Sequence, residues 1–137
     1  MDIEQTLDND SLNLEKLDLI FKNAGIQTFK EERRLIINHE DTVSSLYFIK
    51  DIISIFTSYK IKDDADLSNI HQKLLDLNGT NTFTSARVSD NGTHVIVLMT
   101  YLTTAGVFIP HFILTVNGYF AFQKLNFKRV DCSDFLE

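Results

Sequence analysis

The sequence predicts an α+β fold, with helices and antiparallel strands in separate runs. Three observations lead there. Two segments repeat apolar residues at the helical period. The stretches between and after them are rich in alternating or β-branched and aromatic residues. Turn-forming residues then fold those stretches back on themselves as hairpins. With 137 residues, 44% apolar and 23% charged, the composition is that of one ordinary globular domain, and eleven Phe supply bulky core material.

Residues 1–10 are polar and expected to be flexible. "SLNLEKLDLIFKNAGI" reads as a helix, with Leu14, Leu17, Ile20 and Phe21 on one face, Ser11 or Asn13 as cap and Gly25 as left-handed stop. In "IQTFKEERRLIINHED" the period changes to two. Ile26, Thr28 and Lys30 alternate with Gln27 and Phe29, and "RLIIN" is β-branched, so two strands are expected with a turn near Glu31–Arg33. "TVSSLYFIKDIISIFTSYKI" is long enough for a helix, but its Val, Ile, Tyr and Phe content favours strand, with Ser54, Thr57 and Ser58 as candidate exposed positions. "KDDADLSNIHQKLLDLNG" is the clearest helix: Asp64 or Asp66 caps it, Leu67, Ile70, Leu74 and Leu77 form its stripe, and Gly79 is the stop signal. "NTFTSARVSDNGTHVIVLMTYL" reads as a hairpin turning at "DNG". Phe83 belongs to its first strand, and the return strand, apolar on both faces from Val95 to Met99, is expected to be central.

The last segment, "GVFIPHFILTVNGYFAFQKLN", admits two readings. As a helix starting near Thr104, it would hold Pro110 in its first turns and place Phe108, Phe112, Val116, Tyr119 and Phe122 or Gln123 near one face. As a second hairpin, it would turn at Asn117-Gly118, and local propensity alone favours this.

Several features together resemble the YbjN family, described as proposed sensory transduction regulators of bacteria. They are "LNGTN" after the second helix, "FTSARV", the turn "SDNG", an apolar strand, the step "AGVF", and the aromatics Phe112, Phe120 and Phe122. The likeness covers roughly Leu14 to Leu125, so residues 11–128 are taken as the domain and 129–137 as a polar C-terminal tail. The resemblance implies an antiparallel β-sheet with N-terminal, middle and C-terminal helices packed against it, similar to type III secretion chaperones. It also implies that the last segment is helical and that the role is non-enzymatic binding, since those chaperones are commonly dimers that hold extended client segments.

The charge pattern narrows the function classes. A net charge of −6 repels a phosphate backbone, so no nucleic-acid partner is expected. Basic residues concentrate only at Arg33-Arg34, beside Glu31 and Glu32, and at Lys124, Lys128 and Arg129. The acidic start "MDIEQTLDND" carries no signal-peptide pattern. Cys132 alone cannot form an internal disulfide, which fits a cytoplasmic location. Asp131 and Asp134 flank that thiol and would oppose its ionisation. His39, His71, His94 and His111 lack metal-ligand spacing, the glycines form no phosphate loop, Ser44, Ser45 and Ser85 have no base nearby in sequence, and Asp63-Asp64 read as helix-start charges. No catalytic residue, cofactor or metal is expected.

One feature remains. Asn91 to Gln123 contains no Asp, Glu, Lys or Arg, and Thr100, Thr103, Gly106, Pro110, His111 and Asn117 interrupt it too often for a membrane span. It supplies either core alone or core plus a contact surface for a protein client or a second copy. On the second reading Phe108, Phe112, Tyr119 and Phe122 are the partner-binding candidates, because aromatics bury much area with little rotamer entropy. The alternative is a small-molecule sensor whose aromatics line a pocket.

Overall fold

The structure, a computed structural model, describes residues 6–80, 84–133 and 135–136. The elements are β1 (Thr6–Leu7), α1 (Leu14–Asn23), β2 (Gln27–Glu31), β3 (Arg34–His39), β4 (Thr42–Ile49), β5 (Ile52–Lys60), α2 (Leu67–Thr80), β6 (Thr84–Val88), β7 (His94–Leu102), β8 (Val107–Phe108) and α3 (Ile109–Val130). A six-stranded sheet has the order β2-β3-β4-β5-β7-β6, and β1 pairs with β8 in a separate two-stranded sheet. This is the expected α+β class, with the three helices in the N-terminal, middle and C-terminal places. The chain divides into two compact units, Met1–Ile55 with Thr100–Gly118 and Phe56–Met99 with Tyr119–Glu137; β5, β7 and α3 contribute residues to both.

In the first unit, Asn13 caps α1 by accepting a hydrogen bond from the Lys16 N–H at 2.8 Å, and Gly25, at φ +79°, takes the left-handed turn after it. Leu17, Ile20 and Phe21 are the buried face. Two-residue turns join β2 to β3, β3 to β4 and β4 to β5, each with one residue at positive φ: Glu32, Glu40 and Asp51. Thr28, Leu35, Ile37, Ser44 and Leu46 are buried on one face of β2–β4; the partners Thr28↔Ile37, Lys30↔Leu35, Ile37↔Ser44 and Leu35↔Leu46 share it. Asp18 of α1 accepts from the Thr28 hydroxyl, and Glu15 pairs with Lys30, so this is the face that packs on α1. Phe112 of α3 sits edge-on to Phe21 and Tyr101, with centroids 5.7 and 5.1 Å away. The buried Thr103 donates through its hydroxyl to Asn9 at 2.5 Å and through its N–H to the Asp51 carbonyl at 2.9 Å, which ties three loops together. Beside it Gly106 adopts φ +89°, and a Cβ there would lie 2.9 Å from the Leu7 carbonyl oxygen, so the position requires glycine.

In the second unit, Asp66 caps α2, accepting from the Ser68 N–H at 3.0 Å. Ile70, Leu74 and Leu77 are buried. β6 and β7 pair in the expected hairpin, with Gly92 at φ +74° and the Asn91 side chain accepting from Ser89 and Thr93 to close the turn. β7 lies between β5 and β6, a central place in the sheet as expected, with Val95, Val97 and Met99 on its buried face. β6 is the last strand, and the Asn78 amide of α2 meets its edge. Asn78 accepts from the Ala86 N–H at 2.7 Å and donates to the Ala86 carbonyl at 3.0 Å, as a neighbouring strand would. Tyr119, Phe120 and Gln123 of α3 are buried.

The structure settles the last segment and corrects several other expectations. That segment is a helix, as the resemblance implied, beginning at Ile109 with Pro110 as its second residue, and Asn117-Gly118 runs through its middle without a turn. Burial decided this: Phe112, Val116, Tyr119 and Gln123 fall on one helical stripe, while Leu114, which a strand would place with Phe112 and Val116, is exposed. "TVSSLYFIKDIISIFTSYKI" is two strands, parted at Lys50-Asp51. Thr57 is buried instead of exposed. Leu67, at the first residue of α2, is exposed, and α2 continues through Gly79 to Thr80. The tail holds buried Cys132 and Phe135, with Leu136 bridging to Ile61. Phe83 and Asp134 lie outside the described residues.

Candidate binding surfaces

The first candidate is the face of β2–β3–β4 turned away from α1. Alternation puts Gln27, Phe29 and Glu31, then Arg34, Ile36 and Asn38, then Val43, Ser45 and Tyr47 on it, in the rows Gln27–Asn38–Val43, Phe29–Ile36–Ser45 and Glu31–Arg34–Tyr47. Phe29 is 52% exposed and Val43 60% exposed, and Tyr47 and Ile49 are exposed beyond them. A polar corner accompanies this apolar area. The Arg34 guanidinium donates to the Ser45 hydroxyl at 3.1 Å and to Glu31 at 3.2 Å, and Glu31 beside it raises its already high pKa. Hairpin residues Glu31, Glu32, Glu40 and Asp41 are acidic.

The second candidate is a pocket of about 510 Å³ in the second unit, lined by Tyr59, Phe127, Lys128, Asp131, Cys132, Ser133 and Leu136. Tyr59 and Phe127 meet edge-on at 4.8 Å. The Tyr59 hydroxyl donates to the Gln123 side-chain oxygen at 2.5 Å, and burial pushes its pKa up to about 12, so the phenol is neutral at physiological pH. The Asp131 carboxylate accepts from the Ser133 hydroxyl at 2.6 Å, which holds its pKa below the usual value. Deeper in the unit, the Tyr119 hydroxyl donates to the Val97 carbonyl at 2.9 Å and lies 2.7 Å from the Thr57 hydroxyl. The single phenol proton is committed to Val97, so Thr57 is the donor of that second bond. Burial raises the Tyr119 pKa strongly.

Of the four aromatics singled out from the sequence, Phe112 and Tyr119 are wholly buried within their own units, while Phe108 is 44% and Phe122 47% exposed. Sequence reasoning missed Phe29, Val43 and Tyr47. Their signal was the alternation along β2 and β4, which places one apolar residue per repeat opposite the buried set. The histidines stay dispersed: His94 meets Thr93 at 2.7 Å and His111 meets Tyr101 at 3.3 Å. Among the described residues no group of three or more His, Cys, Asp or Glu could hold a metal ion, and no helix is long and apolar enough to cross a membrane.

No protein-family model and no curated protein matches the chain. Solved structures share its fold. The crystal structure of YbjN from E. coli, described as a proposed transcription regulator, superposes with a TM-score of 0.80 at 16% identity, covering 96% of this chain and 98% of that one. An uncharacterized protein from Methanothermobacter thermautotrophicus gives 0.62 at 12% identity, covering 90% and 99%. The fold is therefore YbjN-like, as the sequence resemblance implied.

Proposed function

We propose that this chain is a non-enzymatic, cytoplasmic protein-binding module of chaperone-like or regulatory kind, which buries the open face of β2–β3–β4 against another protein and dimerises through it when no client is bound. The observation that carries this reading is the pair of rows holding Phe29 and Val43. Both side chains are more than half exposed on a sheet face whose opposite side buries Thr28, Leu35, Ile37, Ser44 and Leu46. Isolated surface apolar residues need no explanation, but Phe29, Val43, Tyr47 and Ile49, all exposed on one sheet face, favour an interface. The acidic hairpin residues would limit unwanted partners by like-charge repulsion. The regulator description of the E. coli YbjN structure agrees with a binding role. A non-enzymatic role is supported by the scatter of the perturbed titratable groups. Burial raises Tyr59, Tyr101 and Tyr119, and Glu15 is lowered by Lys30.

Sedimentation velocity over a range of concentrations tests the proposal. Wild type should approach twice the chain mass, and the double variant Phe29→Asp/Val43→Asp should sediment as a monomer with an unchanged circular dichroism spectrum. A wild type that stays monomeric, and that crosslinks the same proteins as the double variant in lysate, would overturn it.

A further inference from the structure

The open face of β2–β3–β4 is a grid of strands and rows whose two ends differ chemically. Its middle row is Phe29–Ile36–Ser45. The row Gln27–Asn38–Val43 lies toward the Glu40-Asp41 turn, and the row Glu31–Arg34–Tyr47 toward the Glu32-Arg33 turn. The Glu40-Asp41 turn carries two acids and no base. At the other end Glu31, Glu32 and Asp51 are balanced by Arg33, Arg34 and Lys50. Arg33 and Asp41 are exposed, and neither makes a hydrogen bond or ion pair among the described residues. The Asn38 amide nitrogen donates to the Gln27 side-chain oxygen at 3.4 Å, which leaves the Gln27 amide nitrogen able to donate and the Asn38 side-chain oxygen able to accept.

We propose that a second copy of this chain covers the face with its strands reversed, about a two-fold axis along the middle row, a pairing that presupposes the dimer proposed above. A two-fold contact sets one patch against itself, so the choice of axis dictates which residues meet. With this axis Phe29 meets the partner's Phe29, and Val43 meets the partner's Tyr47. Gln27 donates to the partner's Glu31, and the Asn38 oxygen accepts from the partner's Arg34. Apolar groups meet apolar groups and donors meet acceptors. An axis along β3 would keep the strand direction and do the opposite. Phe29 would then face Ser45, Val43 would face Gln27, Tyr47 would face Glu31, and Arg34 would face its own twin. That axis would also bring the two Glu40-Asp41 turns together, whereas the reversed pairing lays each beside the partner's Arg33. Packed sheets keep their strand directions within about 30° of each other. Three strands about 4.8 Å apart and five residues long make a patch of about 14 by 17 Å, so this angle leaves the choice between the two axes intact. A patch of that size gives a reversible, concentration-dependent pair.

The test is crosslinking of the full chain through single added cysteines, Gln27→Cys, Phe29→Cys, Val43→Cys and Tyr47→Cys, with a short bis-maleimide that spans facing sheets about 10 Å apart. All four positions are exposed, so the substitutions leave the fold in place. Wild type, whose Cys132 is buried, is the blank. Phe29→Cys alone, and Val43→Cys mixed with Tyr47→Cys, should link roughly tenfold faster than Val43→Cys mixed with Gln27→Cys; intact-mass spectrometry identifies each linked pair. Faster linking of Val43→Cys to Gln27→Cys would overturn the reversed pairing and leave the dimer on this face standing. No linking of any pair, with wild type sedimenting as a monomer, would overturn the dimer and the pairing together. A dimer that no cysteine traps and that Phe29→Asp/Val43→Asp leaves intact would place the contact elsewhere and overturn both.

Discussion

Single side chains carry disproportionate weight in the second unit. The Tyr119 hydroxyl joins Thr57 and the Val97 carbonyl in a buried setting. Tyr119→Phe removes the buried bonds that its hydroxyl makes with Thr57 and the Val97 carbonyl, and a loss of about 1–3 kcal/mol is expected in urea unfolding. Tyr59 makes a pH prediction. Its folded pKa of about 12 lies above the ordinary 10, so the stability it supplies is complete below pH 10 and is lost as pH rises from 10 through 12. Wild type should therefore lose more stability across that window than Tyr59→Phe, and a spectrophotometric titration should show a late-ionising tyrosine that Tyr59→Phe lacks. The sequence could not announce either residue as special. Thr57 reads locally as an exposed strand position, whereas its partner Tyr119 is 62 residues away, a separation no local pattern encodes. Asn13 and Asp66, whose roles depend only on neighbours two or three residues on, were legible for the same reason.

At the scale of elements, α3 shows local propensity yielding to burial. Asn117-Gly118 is a strong turn signal, yet the residues on either side of it bury Phe112 and Val116 in one unit and Tyr119, Phe120 and Gln123 in the other. The hairpins β2–β3 and β6–β7 were readable because alternation and turn chemistry agree there. The break at Lys50-Asp51 was not, since neither residue is a glycine and the turn rests on Asp51 accepting a positive φ. Two glycines make opposite predictions. Gly79 lies inside α2 with nothing within 4 Å of a built Cβ, so Gly79→Ala should raise stability by about 0.5–1 kcal/mol. Gly106 has positive φ and the Leu7 carbonyl against it, so Gly106→Ala should destabilise by roughly 1–3 kcal/mol and loosen the β1–β8 pair. Thermal melts of the two variants side by side check both signs.

For the molecule as a whole, the sequence shows where charge is absent but not which apolar residues the fold leaves exposed. The uncharged block drew attention to Phe112 and Tyr119, which the fold consumes as core. The exposed rows of β2 and β4 come from segments that look ordinary until strand register assigns each residue a face. Phe112→Asp is accordingly expected to unfold the first unit, seen as lost far-ultraviolet signal, and not merely to change sedimentation. Phe108→Ser, at a position 44% exposed, should be tolerated within about 1 kcal/mol by the same measurement.

The amide of Asn78 also guards a strand edge. Unpaired main-chain groups on an edge strand are a template for pairing with another chain. By occupying the Ala86 N–H and carbonyl, one side chain blunts β6 at that residue, and Asn78→Leu should leave both groups open and increase aggregation on storage, read by light scattering.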